Sequence, residues 1–124
     1  MSKVLIVEDS PTAIAALEQI LRREGHEVSV AMDGLSAFAM LSRFKPEIIL
    51  LDIGLPMIGG MELCLAIRQT PQFEFIPIII VTGSHKHINV KMAQQFGANA
   101  YLTKPVVEAD LIAAMSQCLM VVAA

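Results

Sequence analysis

Three uninterrupted runs of large aliphatic residues, each closed by a polar side chain, constrain this chain more than any other feature. Val4-Leu5-Ile6-Val7 leads into Glu8-Asp9, Ile48-Ile49-Leu50-Leu51 into Asp52, and Ile78-Ile79-Ile80-Val81 into Thr82. A fourth segment, Ala100-Tyr101-Leu102, leads into Thr103-Lys104-Pro105. Apolar runs of this length, separated by helix-length stretches, predict strands of a parallel sheet covered on both faces. Open sheets of this kind carry their chemistry in the crevice outside the carboxyl ends of the strands. Such a crevice would gather three carboxylates, a hydroxyl and an ammonium, a set suited to a divalent cation and a phosphoryl group.

The stretches between the runs read as helices. Ser10-Pro11 offers an N-cap followed by proline at the first helical position, Ile14, Leu17, Ile20 and Leu21 recur at helical spacing, and Gly25 follows as a C-cap. Val28 and Val30 predict a short, half-buried strand at the sheet edge. Asp33-Gly34 opens a second helix carrying Leu35, Phe38 and Leu41, stopped at Lys45-Pro46. The loop from Gly54 through Pro56 to Gly59-Gly60 lets backbone approach a ligand closely and leads into a third helix, about Met61 to Gln69. The polar stretch Gly83-Ser84-His85-Lys86-His87 precedes a fourth helix near Ile88 to Phe96, capped by Gly97. A fifth helix runs about Glu108 to Met120, with Leu111, Ile112, Met115, Cys118 and Leu119 as its stripe. Five βα units in sequence imply right-handed crossovers and an open, doubly wound α/β sheet.

Composition excludes several classes. Hydrophobic residues make up 55% of the 124, and the mean hydropathy is +0.62. Charged residues or proline nevertheless break every apolar stretch short of the about 18 residues a spanning helix needs. Lys3 leads straight into a strand-like run, which does not look like a signal peptide, so a cytoplasmic setting is expected. The net charge of −3, with both signs interspersed, lacks the clustered Lys and Arg of a nucleic-acid footprint. Cys64 and Cys118 fit no metal spacing and read as buried small hydrophobes. The length is that of one domain, 1–124.

In order along the chain, these residues resemble the receiver domain of two-component response regulators, most closely the single-domain chemotaxis-response-regulator type. The resemblance spans essentially the whole sequence and implies a flavodoxin-like strand order 2-1-3-4-5 with five helices. Glu8-Asp9 is similar to the family's metal-binding acidic pair, and Asp52, followed by Pro56 and Gly60 at the family's spacings, to the phosphoacceptor. Thr82 matches the hydroxyl switch residue, Tyr101 the aromatic switch residue, and Lys104-Pro105 the lysine with its cis proline. Each match alone is weak; an acid, threonine, tyrosine or lysine at a strand end is commonplace. Asp52 is the hardest to dismiss, because an acid straight after four large aliphatics is costly to bury unless paired.

The resemblance implies a mechanism. Mg²⁺ would be held by Asp9, Asp52 and the Gly54 backbone carbonyl, with Glu8 acting directly or through water. Asp52 would attack the phosphorus of a phosphohistidine, from a histidine kinase or phosphotransfer protein, to form an acyl phosphate while Lys104 neutralises charge. Thr82 would bond the new phosphoryl group, Tyr101 would turn inward, and the fourth helix, fifth strand and fifth helix, including Lys86, His87, Val90 and Val106, would present a changed surface to a downstream protein. Oligomeric state stays open between a monomer and a phosphorylation-dependent dimer. Departures from the commonest family pattern are Glu8 where many members have Asp, and Gly54 and Ser84 two residues past Asp52 and Thr82. The chain's stop after the fifth helix leads us to expect no output domain, and leaves its apolar tail as helix end or partner surface.

Two other classes share parts of the pattern. A dehalogenase-like phosphatase would also use Asp52 as nucleophile, but expects a second Asp where Gly54 stands. A flavodoxin-like cofactor binder expects a phosphate loop after the first strand, where Glu8-Asp9 would repel a phosphate.

Overall fold

The structure is a computed structural model that describes residues 2–55, 59–83 and 90–123, with side chains at 90, 92, 93 and 121–123 left out. Pro56, Ser84, His85, Lys86, His87 and Ile88, together with the Val90 side chain, lie outside the described residues. The elements run β1 (Lys3–Val7), α1 (Pro11–Arg23), β2 (Glu27–Ala31), α2 (Gly34–Phe44), β3 (Ile48–Leu51), α3 (Gly60–Arg68), β4 (Ile78–Thr82), α4 (Val90–Gln95), β5 (Ala100–Thr103) and α5 (Glu108–Ala123). All strand pairs are parallel, in the order β2-β1-β3-β4-β5.

The sheet separates two apolar cores because successive strand residues face opposite ways. Leu5, Val7, Ile49, Leu51, Ile78 and Ile80 join Ala37 and Leu41 of α2 and Leu63, Cys64 and Ile67 of α3. Val4, Ile6, Ile48, Leu50, Ile79 and Val81 join Leu17 and Leu21 of α1 and Leu111, Met115 and Cys118 of α5. Both faces of β1, β3 and β4 are buried, as their unbroken runs predict. Each large aliphatic so covered contributes about 1.5–3 kcal/mol. Ala100, Tyr101 and Leu102 are only partly covered, because β5 is an outer strand with a neighbour on one side. Cys64 and Cys118 sit in the two cores, where burial pushes both thiols up from their ordinary pKa.

Local signals place the helix ends. The Ser10 side chain accepts the Ala13 N–H ahead of Pro11, and Asp33 accepts the Ser36 N–H at 2.7 Å. Lys45 ends α2 in the left-handed region, with φ 54°. The buried face of α2 differs from the expected Leu35, Phe38 and Leu41. Leu35 and Phe38 are exposed, and Gly34 and Ala37 take the inner positions with Leu41. Small residues there let the helix lie close to the sheet, while Phe38 meets Phe73 edge-on at the rim, with ring centroids 6.0 Å apart. α4 ends at Gln95, one residue before the expected Phe96, its expected start at Ile88 lying outside the described residues, and α5 runs three residues past Met120.

One side chain, Arg68 at the end of α3, ties three segments together at the opposite end of the sheet from the crevice. Its guanidinium donates to the carbonyls of Gly97, Glu74 and Ile76 and to Asn99 Oδ1, at 2.7–3.1 Å. Asn99 Oδ1 also accepts the Ile78 N–H, so the knot reaches the first residue of β4. Gly97 serves this knot twice. Its φ of +99° suits glycine, and a Cβ there would stand 2.6 Å from Arg68 Cγ.

Candidate functional site

The carboxyl ends of β1, β3, β4 and β5 deliver the polar residues to one edge. Glu8 directly follows β1 and is 2% exposed, Asp9 beside it is exposed, and Asp52 directly follows β3 with its side chain 12% exposed. One oxygen from each of Glu8, Asp9 and Asp52 lies within 4.8 Å of the others. Three carboxylates at such spacing repel one another, and a bound cation would relieve that.

Hydrogen bonds orient two of the three. Glu8 Oε2 accepts the Asp9 N–H at 3.0 Å and the Ser10 N–H at 3.2 Å. Asp52 Oδ1 accepts the Gly54 N–H at 3.2 Å, while the Asp52 N–H donates to the Val7 carbonyl at 2.9 Å. That last bond continues the β1–β3 ladder one residue beyond the strand and aims Asp52 toward the acids of β1. Gly54 is exposed, and a Cβ there would lie 3.8 Å from both Asp52 carboxylate oxygens, so glycine leaves that side of Asp52 uncovered.

Lys104 arrives from β5. Its N–H donates to the Thr82 carbonyl at 2.8 Å, and the Lys104–Pro105 peptide is cis. The ammonium lies 2.5 Å from Glu8 Oε1 and 3.7 Å from Asp52 Oδ2. Thr82, at the end of β4, is buried at 2% exposure and pairs with Thr103 across the sheet. Tyr101 lies opposite Ile80, partly buried against the α2–α3 core. Glu8, Asp9, Asp52 and Lys104 thus share one cluster, while Thr82 and Tyr101 lie on the neighbouring strands β4 and β5, two register steps apart.

Gly60 shows why the loop after Asp52 needs glycine at its end. A Cβ at residue 60 would stand 2.4 Å from the Asp52 carbonyl oxygen and 2.5 Å from Ile53 Cα, both backbone atoms that cannot swing aside. The first turn of α3 therefore packs directly on the peptide that carries Asp52, with the Gly60 N–H donating to the Ile53 carbonyl at 3.2 Å. Gly60→Ala is expected to cost about 1–3 kcal/mol, as overpacking does. It should also shift the amide resonances of Asp52 and Ile53. Denaturant titration and a two-dimensional amide spectrum check both; unchanged resonances at those two residues would show that the contact is slack.

Sequence reasoning did not identify two features of this region. The Glu8–Lys104 pair joins residues 96 apart and has no local signature. The role of Glu8 Oε2 in accepting the Asp9 and Ser10 N–H groups was foreshadowed only by its place ahead of the Ser10-Pro11 cap.

Comparison with known proteins is consistent with this geometry. The family model for the response regulator receiver domain matches residues 4–116. Protein PilH of Pseudomonas aeruginosa is 35% identical over 112 residues, covering 90% of this chain and 93% of that protein. Other relatives are longer: the transcriptional regulatory protein AfsQ1 of Streptomyces coelicolor is 39% identical over 106 residues, which are 86% of this chain but 46% of AfsQ1. The chain thus spans about half the length of that relative. Among solved structures, a response regulator of Chloroflexus aurantiacus superposes with a TM-score of 0.91 at 32% identity, covering 96% of this chain and 98% of that one. The receiver domain of the sensor histidine kinase PA1611 of Pseudomonas aeruginosa, solved with a magnesium ion in its active site cleft, superposes with a TM-score of 0.86 at 30% identity over 95% of this chain and 97% of that one. With its strand order and its family match over residues 4–116, the chain belongs to the response regulator receiver domain family.

Proposed function

We propose that this protein accepts a phosphoryl group on Asp52 from a phosphohistidine and alters its binding of a partner protein in response. It is a signalling switch rather than a turnover enzyme. The observation that carries this reading is the position of Asp52, a carboxylate flanked by the two acids that follow β1 and by an ammonium 3.7 Å away. Gly54, and not a second acid, lies two residues on, which weighs against phosphatase turnover.

A cation fits the chemistry of the donor set, which is all hard oxygen. Asp9 and Asp52 would hold Mg²⁺, with the Gly54 carbonyl and Glu8, directly or through water; the ion would neutralise charge on the transferred group. An Asp52 oxygen forms the new bond to phosphorus as the phosphorus–nitrogen bond of the phosphohistidine breaks, and the imidazole leaves with that electron pair. The Lys104 ammonium meets the phosphoryl oxygens, and Thr82 donates a hydrogen bond to them. The added charge, about −1.5 to −2, biases the surface of α4, β5 and α5 through Thr82 and Tyr101. The donor is a histidine kinase or phosphotransfer protein, the reader of the changed surface is a downstream protein, and the setting is the cytoplasm. No described helix is long and apolar enough to cross a membrane.

Incubation with acetyl phosphate and Mg²⁺, read by intact mass, should show a single phosphate on the wild type. Continuous release of inorganic phosphate with no adduct at any time would favour the phosphatase reading. Mg²⁺ at about a hundredfold excess over its Kd should raise stability by about 2.7 kcal/mol. Asp9→Ala should lose most of that gain; melting with and without Mg²⁺ checks it, and an equal gain in both proteins would remove Asp9 from the cation site.

A further inference from the structure

Of the two carboxylates that face Lys104, the one proposed to receive phosphate is not the one that holds it. The ammonium is at hydrogen-bonding distance from Glu8 Oε1, 2.5 Å, whereas Asp52 Oδ2 is 3.7 Å away, beyond a direct charge-assisted hydrogen bond. Glu8 is fixed from its other oxygen, since Oε2 accepts the Asp9 and Ser10 N–H groups. Those two bonds set the plane of the carboxylate and leave Oε1 for the lysine.

We propose that Glu8 is a positioning residue for Lys104. It holds the ammonium in the resting site and releases it to the phosphoryl oxygens once Asp52 is modified, a step that rests on the phosphoacceptor reading above. Reach is the first argument. Glutamate is longer than aspartate by one carbon–carbon bond, about 1.5 Å. An aspartate at position 8 that accepted the same two N–H groups would fall short of Lys104. Charge is the second. Glu8 is 2% exposed, and a carboxylate so buried needs partners in every state of the site. When the lysine leaves, Glu8 keeps its two backbone donors, so its charge is not stranded. A phosphoryl group of about −1.5 to −2 charge then outcompetes a single carboxylate charge for the ammonium.

Lysine accessibility in metal-free protein tests this directly. Reductive methylation, followed by peptide mass spectrometry, gives the rate at Lys104 relative to exposed Lys45 in the same molecule. In the wild type, Lys104 should react about tenfold more slowly than Lys45. Glu8→Gln should remove most of that protection, and so should Glu8→Asp, which keeps the charge but loses the reach. Asp52→Asn should leave it within about threefold of wild type, as befits a more distant partner. Should Glu8→Gln fail to fold, judged by circular dichroism, Glu8→Asp against Asp52→Asn carries the comparison alone. Protection lost in Asp52→Asn and retained in Glu8→Asp would overturn the proposal and make Asp52 the holder. Phosphate uptake is measured separately by intact mass. A wild type that shows the expected protection yet gains no phosphate from acetyl phosphate would overturn the phosphoacceptor reading and the release step, and leave the resting pair standing.

Discussion

Asp52→Asn will fold and will take up no phosphate. The substitution is nearly isosteric, and the amide oxygen can still accept the Gly54 N–H that Asp52 Oδ1 accepts now. What is lost is the anionic oxygen that would attack phosphorus, since a neutral amide is a far weaker nucleophile. Stability should change by less than about 1 kcal/mol, because two effects oppose each other. The attraction to Lys104 across 3.7 Å disappears, and so does the repulsion from Glu8 and Asp9. Intact mass after incubation with acetyl phosphate and Mg²⁺, together with a thermal melt, checks both halves. A full phosphate adduct in the mutant would move the acceptor to another residue.

The largest loss of stability is expected far from that edge. Arg68→Ala should cost about 3 kcal/mol, because it removes hydrogen bonds from a charged donor and leaves the carbonyls of Gly97 and Ile76 searching for partners. For a domain of this size that corresponds to a fall in Tm of about 10 °C. Burial lowers the Arg68 pKa from its ordinary value, yet a guanidinium keeps its charge at any working pH, so the deficit should not depend on pH near neutrality. Arg68→Lys should recover only a small part, since one ammonium cannot reproduce a planar fork that serves four acceptors in two other segments. Denaturant titration of the three proteins gives the comparison. A cost below about 1 kcal/mol for the alanine variant would mean that water replaces the guanidinium at little expense.

The contrast between these two sites explains what the amino-acid sequence reveals about the structure. β1, β3 and β4 were legible because a parallel strand buried on both faces must be apolar without alternation, and few other structures require Ile48-Ile49-Leu50-Leu51. The polar residue after each run was legible for the same reason, as the point where the chain leaves the apolar interior. The inner face of α2 was not. Leu35 and Phe38 carry more hydrophobic weight than Gly34 and Ala37, but contact with the sheet there favours small side chains. Arg68 was hidden more deeply. Three of its four acceptors are backbone carbonyls, which every residue possesses, and they lie 6, 8 and 29 positions away. The Glu8–Lys104 pair likewise depends on how β1 and β5 sit in the finished sheet, which no local pattern encodes.

The two-sided burial of the central strands has a consequence for how the chain finds its native alignment. In a sheet with one wet face, slipping a strand by one residue turns its apolar side chains to water, and that penalty rejects the wrong pairing. Here a slip of β3 would only exchange Ile49 and Leu51 with Ile48 and Leu50, moving aliphatic side chains from one greasy layer to an equally greasy one. Little in the strand itself would object. The objection must come from its ends, where a slip would draw Asp52 into the interior or push Leu51 out into the crevice. The carboxylates at the crevice therefore act as alignment marks for strands that are otherwise nearly interchangeable, and the same acids that are proposed to serve phosphate transfer help to specify which of several similar sheets the chain becomes.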